Sequence, residues 1–144
     1  MIQTISNKIK TTLEALVDGE GSSEIVVVYQ YPESKPLCYP YAIIDYKGDE
    51  SVELTNYQDR VTHNFEIRLV QEKIEELKGR ENAEATTMDR SYLITSAFRA
   101  SNDLDLSDVL IVKPVNVDKI YEDNNTRISL IINLAVETVA TSST

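Results

Sequence analysis

Val61-Thr62-His63-Asn64-Phe65-Glu66-Ile67-Arg68-Leu69-Val70 alternates with a period of two. Val61, His63, Phe65, Ile67 and Leu69 share one parity; Thr62, Asn64, Glu66 and Arg68 share the other. Successive side chains of an extended chain point to opposite faces, so this stretch predicts a strand. One face lies on a core, and the other is wet or in an interface. A one-sided strand needs a covering layer, and the flanking sequence supplies it.

Upstream, Tyr39-Pro40-Tyr41-Ala42-Ile43-Ile44-Asp45-Tyr46 reads as an apolar, aromatic strand. Pro40 confines that strand to its start or to a sheet edge, because proline cannot donate to the ladder. Gly48–Tyr57 is polar and acidic, a long turn or a hairpin arm. Pro32 and Pro36 bracket a loop, and the β-branched run Ile25–Tyr29 reads as another strand. Glu20–Glu24 is a polar turn. Before it, Ile2, Ile5, Ile9, Leu13 and Leu16 recur at steps of three and four. That spacing predicts a helix over 2–17, with Asp18-Gly19 as its stop.

Downstream, Gln71–Asn82 is dense in charge and reads as a loop or as the exposed first turns of a helix over about 81–101. In that helix Ala83, Ile94, Ala97 and Phe98 form one apolar stripe, while Ala85, Met88 and Tyr92 lie nearly opposite. Two stripes suit a helix contacted from two sides; tolerated surface residues are the simpler alternative. Asn102–Asp108 is a polar connection. Val109–Lys113 and Val115–Val117 form a strand interrupted by Pro114, and Glu122-Asp123-Asn124-Asn125 is a turn signal. Ile128, Leu130, Ile132, Leu134 and Val136 alternate through a last strand. The order is helix, three strands, helix, two strands. It predicts an α+β fold: a mostly antiparallel sheet with two helices packed on one face. We expect one domain over 1–144, with 139–144 a flexible tail.

The 144 residues are the usual size of one domain and enough for one core without staples. With only four Gly and four Pro, a disordered or fibrous chain is not indicated. The net charge of −10 argues against a conventional DNA-binding domain, whose affinity comes from neutralising phosphates, and against an anionic membrane as partner. It suits a surface past which DNA slides without sticking, or solubility alone. Cys38 is the only cysteine, so no intrachain disulfide is expected. No long apolar run follows Met1–Thr4, so no leader peptide is expected, and no run is long enough to span a bilayer.

Catalytic residue types are scarce: one His, one Cys, no Trp. His63 sits on the apolar parity of its strand, where a satisfied core or sheet-end histidine is expected rather than a base. Cys38 has no local basic cluster to activate it, so a quiet, partly buried thiol is expected. One His and one Cys cannot build the usual four-ligand zinc site. Asp118, Glu122 and Asp123 lack the order of a calcium loop and read as a solvated turn. No glycine-rich phosphate loop is present. We therefore expect no catalytic residue, no metal and no cofactor. Carboxylate pairs could still do acid–base work, which leaves open a small α+β enzyme or ligand-binding domain.

Eight tyrosines carry more information, and Tyr29, Tyr31, Tyr39, Tyr41 and Tyr46 crowd the first half. They suit either an interface or an aromatic layer flanking the sheet. Arg60, Glu66, Arg68 and Glu72 lie on or beside the wet face of the best strand, with signs that could pair across neighbouring subunits. With Met88 and Tyr92 on the second helix they are the candidate subunit-interface residues; a solvated face is the alternative.

From Asn56 onward the order of features resembles the tail terminator, or tail completion, family of long-tailed bacteriophages. The resemblance rests on Asn56, Arg60, Phe65-Glu66-Ile67-Arg68-Leu69, Gln71-Glu72, Ala83-Glu84, Met88-Asp89, Ile94 with Ala97-Phe98, Val109–Val115 with Pro114, and Arg127 to Glu137. The opening helix and Tyr39-Pro40-Tyr41-Ala42 are similar to its first half. The acidic Gln71–Asn82 stretch, Arg99 and Ser101 depart from the pattern and leave room for another neck or connector component, or an adaptor in a related apparatus. The resemblance implies a virion protein assembled in the host cytoplasm. It implies a ring, typically a hexamer, capping the tail tube and joining it to the head. Its partners would be further copies of itself, the tail tube protein and connector proteins, with DNA passing through the channel and no membrane involved.

Overall fold

The structure, a computed structural model, describes residues 2–16, 25, 27–31, 38–53, 58–104, 106 and 109–141. Its elements are α1 (Ile2–Glu14), β1 (Val27–Tyr29), β2 (Tyr41–Glu53), β3 (Gln58–Lys73), α2 (Arg80–Ala100), β4 (Val109–Glu122) and β5 (Arg127–Thr141). The strands form one sheet in the order β1-β2-β3-β5-β4. β1 is parallel to β2, and every other neighbouring pair is antiparallel. The fold is α+β, with both helices on the same face.

The covered face follows from parity. Phe65, Ile67 and Leu69 on β3 meet Ile44 and Ala42 on β2 and Leu130, Ile132 and Leu134 on β5, and all are buried. Onto them α1 lays Ile5, Ile9 and Leu13, and α2 lays Ile94 and Phe98, in one continuous core. Each such buried aliphatic side chain contributes about 1.5–3 kcal/mol before chain entropy is counted. α1 is amphipathic by spacing alone and needs this surface, because an isolated helix of its length is marginal in water.

Three segments differ from the sequence expectation, and a fourth decides between two alternatives that the sequence left open. β2 runs on through Glu53, so the acidic stretch begins as a hairpin arm rather than a turn. Gly48, at φ 119, takes the register shift between Tyr46 and Gly48, a backbone region that glycine enters without a Cβ penalty. β3 continues to Lys73, so Gln71, Glu72 and Lys73 belong to the strand and not to a loop or helix start. β4 passes through Pro114 to Glu122, absorbing the missing N–H in a register shift between Pro114 and Asn116. β5 extends to Thr141, where Thr141 pairs with Gln58; the expected tail is strand to that point. The ladder partner of β3 overrides the small polar composition there.

α2 starts at Arg80 after Gly79, whose φ of 102 lets the chain turn into the helix. The expected turn at 122–125 is present: Asp123, Asn124 and Asn125 all adopt left-handed φ values, which Asp and Asn tolerate best among non-glycine residues. The expected stop at Asp18-Gly19, the turn Glu20–Glu24 and the loop at Pro32 and Pro36 lie outside the described residues.

Candidate functional site

No described helix covers the second face of the sheet. Ile43 and Asp45 of β2, Glu66 and Arg68 of β3, Ile131 and Asn133 of β5 and Asp118 of β4 project there by register. Its charges are largely paired. Arg68 reaches over β5 to form a salt bridge with Glu122. Lys47 lies 2.9 Å from Asp45 and 3.8 Å from Glu66. Asn133 donates to Asn116 at 2.5 Å. Exposed pairs of this kind contribute only about 0–1 kcal/mol each, so the face is neutralised more than it is stabilised.

The structure thus separates the six interface candidates into two groups. Glu66, Arg68 and Glu72 already have intrachain partners, Glu72 being 3.4 Å from Arg90. That last contact is close enough for charge attraction but is not aligned as a hydrogen bond. Arg60 is exposed. Met88 and Tyr92 are 70% and 72% exposed, so the second stripe of α2 faces outward in the isolated chain. α2 is tied to β4 by Glu84. Glu84 accepts from Lys119 Nζ at 2.6 Å and from the Tyr121 hydroxyl. Those two donors hold the Glu84 carboxyl below its ordinary range.

Four of the first-half tyrosines form a row. Tyr31 packs on Tyr29 at 5.9 Å between ring centroids, Tyr29 on Tyr41 at 6.0 Å, and Tyr41 on Tyr39 at 5.3 Å. The Arg127 guanidinium lies 4.0 Å from the Tyr39 ring centre, within cation–π range. Tyr31 and Tyr39 are exposed while Tyr41 is buried, so the row has both an inner and an outer side. Tyr46 stands apart, packed on Phe65.

His63 is buried and satisfied at both nitrogens, as its parity predicted. Nδ1 is 2.6 Å from Asp49 Oδ1, and Nε2 is 3.1 Å from Thr138 Oγ1. An ionised carboxylate only accepts, so Nδ1 of His63 donates to Asp49, and in the tautomer with its one proton there Nε2 accepts the Thr138 hydroxyl. The connectivity acid–imidazole–hydroxyl is that of a hydrolase triad. Thr138, however, is only 3% exposed on the helix-covered side, and a substrate carbonyl has no approach to its oxygen. The cluster pins β2, β3 and β5 together. Cys38, expected to be partly buried, is instead exposed, on the segment that leads into β2.

The pin carries a pH dependence. Burial pushes the Asp49 carboxyl up, but hydrogen bonds from Tyr46 and His63 outweigh it and hold the group below its ordinary value. The same contact pushes the Tyr46 phenol up to about 12. A depressed carboxyl favours folding above its unfolded value and loses that contribution as pH falls through the folded one. Asp49→Asn is therefore expected to lower stability near pH 7 by about 1 kcal/mol, a modest figure because Asp49 is partly exposed. The gap between parent and variant should narrow as pH falls past the ordinary carboxyl value and then through the lowered folded one, because Asp49 becomes protonated first in the unfolded and then in the folded state. Urea melts of both proteins across pH 2.5–7 check this; a gap that stays constant to the acid end would contradict it.

Sequence reasoning missed a second buried polar cluster. Gln71 Nε2 donates to Thr87 Oγ1 at 2.7 Å and to the Ile128 carbonyl at 3.3 Å. Arg90 donates to Gln71 Oε1 at 2.8 Å, and Arg127 to the Gln71 carbonyl at 3.1 Å. Gln71 is fully buried, and Thr87 and Arg90 nearly so. The cluster locks the end of β3 and the start of β5 to α2.

Among the described residues no group of three or more His, Cys, Asp or Glu is placed to hold a metal ion. A hollow of about 330 Å³ between α1 and α2 is lined by Lys8, Thr12, Leu16, Ala97 and Leu104 among others, with Lys8 the one titratable group among its described lining residues. It offers no acid–base pair. Among the described residues no helix is long and apolar enough to cross a membrane.

No protein-family model matches the chain, and no curated protein matches it. Among solved structures, the chain is similar to one from "Virion of native gene transfer agent (GTA) particle". The TM-score is 0.59 at 12% sequence identity, and the match covers 94% of this chain and 95% of the other. At that identity the likeness is one of fold.

Proposed function

We propose that this chain is a structural protein of a phage-like virion. It forms a ring, of six copies, at the head-proximal end of the tail, between the tail tube and the connector. The observation that carries the reading is the fold likeness to a chain of a gene transfer agent virion, which spans nearly the full length of both chains. The ordered resemblance from Asn56 onward supports the same placement. So do the sheet face without a described helix and the exposed Met88–Tyr92 stripe, which leave surface for neighbours.

The charge suits a conduit. At −10 per chain a hexamer carries about −60 formal charges, screened beyond a Debye length of about 8 Å. A lining of that sign lets DNA pass without holding it, because bound phosphates need cations. The chemistry of such a part is mechanical: the sheet supplies stiffness, the exposed edges and helix stripe supply contacts, and no cofactor takes part.

Co-sedimentation with assembled tail tubes tests the placement. The protein is expected to pellet with tubes at a ratio of one ring per tube, with electron micrographs showing added density at one end only. Protein that stays in the supernatant with both tubes and connectors would contradict it.

A further inference from the structure

The two lateral edges of the sheet are unlike each other and match each other. β1 covers β2 only over Tyr41–Ile43. From Ile44 to Glu53 the outer side of β2 pairs with no described strand. β4 is the other edge, and its outer side pairs with no described strand. Three antiparallel steps separate the two, so β4 runs opposite to β2. A copy moved sideways by one sheet width therefore sets its neighbour's edge antiparallel to its own, the more stable strand arrangement.

Rows across the sheet show what would meet. Gly48, Asn64, Ala135 and Lys113 lie in one row, and Glu50, Thr62, Glu137 and Ile111 in another. Lys113 of one copy is thus level with Gly48 of the next and two residues along the strand from Glu50, which shares its face of the sheet. Lys113 is the only charged residue in Val109–Val117, within a chain of net charge −10. The opposing arm, Ile44 to Glu53, carries Asp45, Asp49, Glu50 and Glu53 against Lys47 alone. Leu110 and Val115, the most exposed apolar residues of β4, flank Lys113 at 53% and 63%.

Pro114 and the two register shifts of β4 interrupt this edge. Such features blunt a strand against indefinite ladder growth. They leave side-chain docking as the mode of contact. A two-fold contact centred on this part of β4 would set Lys113 against Lys113, and one centred on β2 would oppose two acidic arms. Only the head-to-tail arrangement joins unlike charges, and a head-to-tail contact closes into a ring when its rotation permits.

We propose that successive copies of this chain pack edge to edge, head to tail, with Leu110, Lys113 and Val115 of one copy against Gly48 and Glu50 of the next. This rests on the ring reading above and gives that ring its subunit contact.

Charge reversal tests it, with native mass spectrometry as the readout and thermal melts to verify folding. Glu50 is chosen over Asp49 because Asp49 is engaged by His63. Lys113→Glu and Glu50→Lys alone are each expected to raise the concentration for half-assembly about tenfold or more, since like charges then face each other. The double variant is expected to return to near the parent value. Singles that assemble like the parent, or a double variant as weak as the singles, would overturn the edge contact while leaving the ring intact. An assembly that stops at two copies would overturn head-to-tail packing. A parent protein that stays monomeric at every concentration, with and without tail tubes, would overturn the ring reading itself.

Discussion

Phe65→Ala is expected to destabilise the protein by about 3–5 kcal/mol, a large part of the whole stability of a domain of this size. Phe65 is 1% exposed on the central strand β3. Tyr46 packs on its ring from β2, with centroids 5.4 Å apart, and Leu134 opposes it on β5. Removing the ring loses its transfer free energy and leaves a cavity that two flanking strands, held in register, cannot close. Urea denaturation should show a lower midpoint at unchanged slope, the signature of lost stability without a change in the unfolded state. A cost below about 1 kcal/mol would mean that Phe65 is not enclosed as described.

Arg90→Ala is expected to cost about 3–5 kcal/mol, by a different route. Truncation leaves the Gln71 amide oxygen without its 2.8 Å donor and the Glu72 carboxylate without its nearby cation. Both sit where water reaches poorly, so the loss is a desolvation penalty and not only a missing bond. Arg90→Met, which keeps length and removes charge, should cost nearly as much while Glu72 remains. Combining Arg90→Met with Glu72→Gln should recover part of the loss, because the uncompensated charge is then gone. Equal stability of the single and double variants in denaturant would contradict this account of the cluster.

These two sites show what the sequence made legible and what it hid. Phe65 announces itself, because strict alternation from Val61 to Leu69 leaves one reading of its face. The same period continues to Gln71, which falls on the buried parity, but its polar type and the charges after it read as a loop. In α2 five of the six buried positions, Ala83, Thr87, Arg90, Ile94 and Phe98, follow helical steps of four, three, four and four, with Thr95 the sixth beside them. Two of the five are polar, so a search for apolar residues found only the ends of the stripe. Spacing was the better guide than residue type, because polar side chains were burying one another. The length of β2 and β5 was hidden for another reason. Gly48–Glu53 is polar and acidic, and Val139–Thr141 is too short to show a period; both are extended because β3 offers them a ladder. The candidate interface was legible only in part. Met88 and Tyr92 are exposed as their opposite stripe suggested, whereas Arg68 and Glu72, which looked free to pair with neighbours, have partners that lie 54 and 18 residues further along the chain.

Structural and functional claims meet at the edges of the sheet. The helix-covered face stabilises the fold, and the His63 and Gln71 clusters tie its elements together. What remains outward is the pair of unlike edges, the open face and the α2 stripe. Electron cryomicroscopy of the assembled particle, at a resolution that traces this chain, measures the central claim directly. The account predicts six copies in a closed ring between tail tube and connector, with β4 of each copy beside β2 of the next. Finding the chain in the capsid shell, or as a single copy with both sheet edges facing solvent, would contradict it.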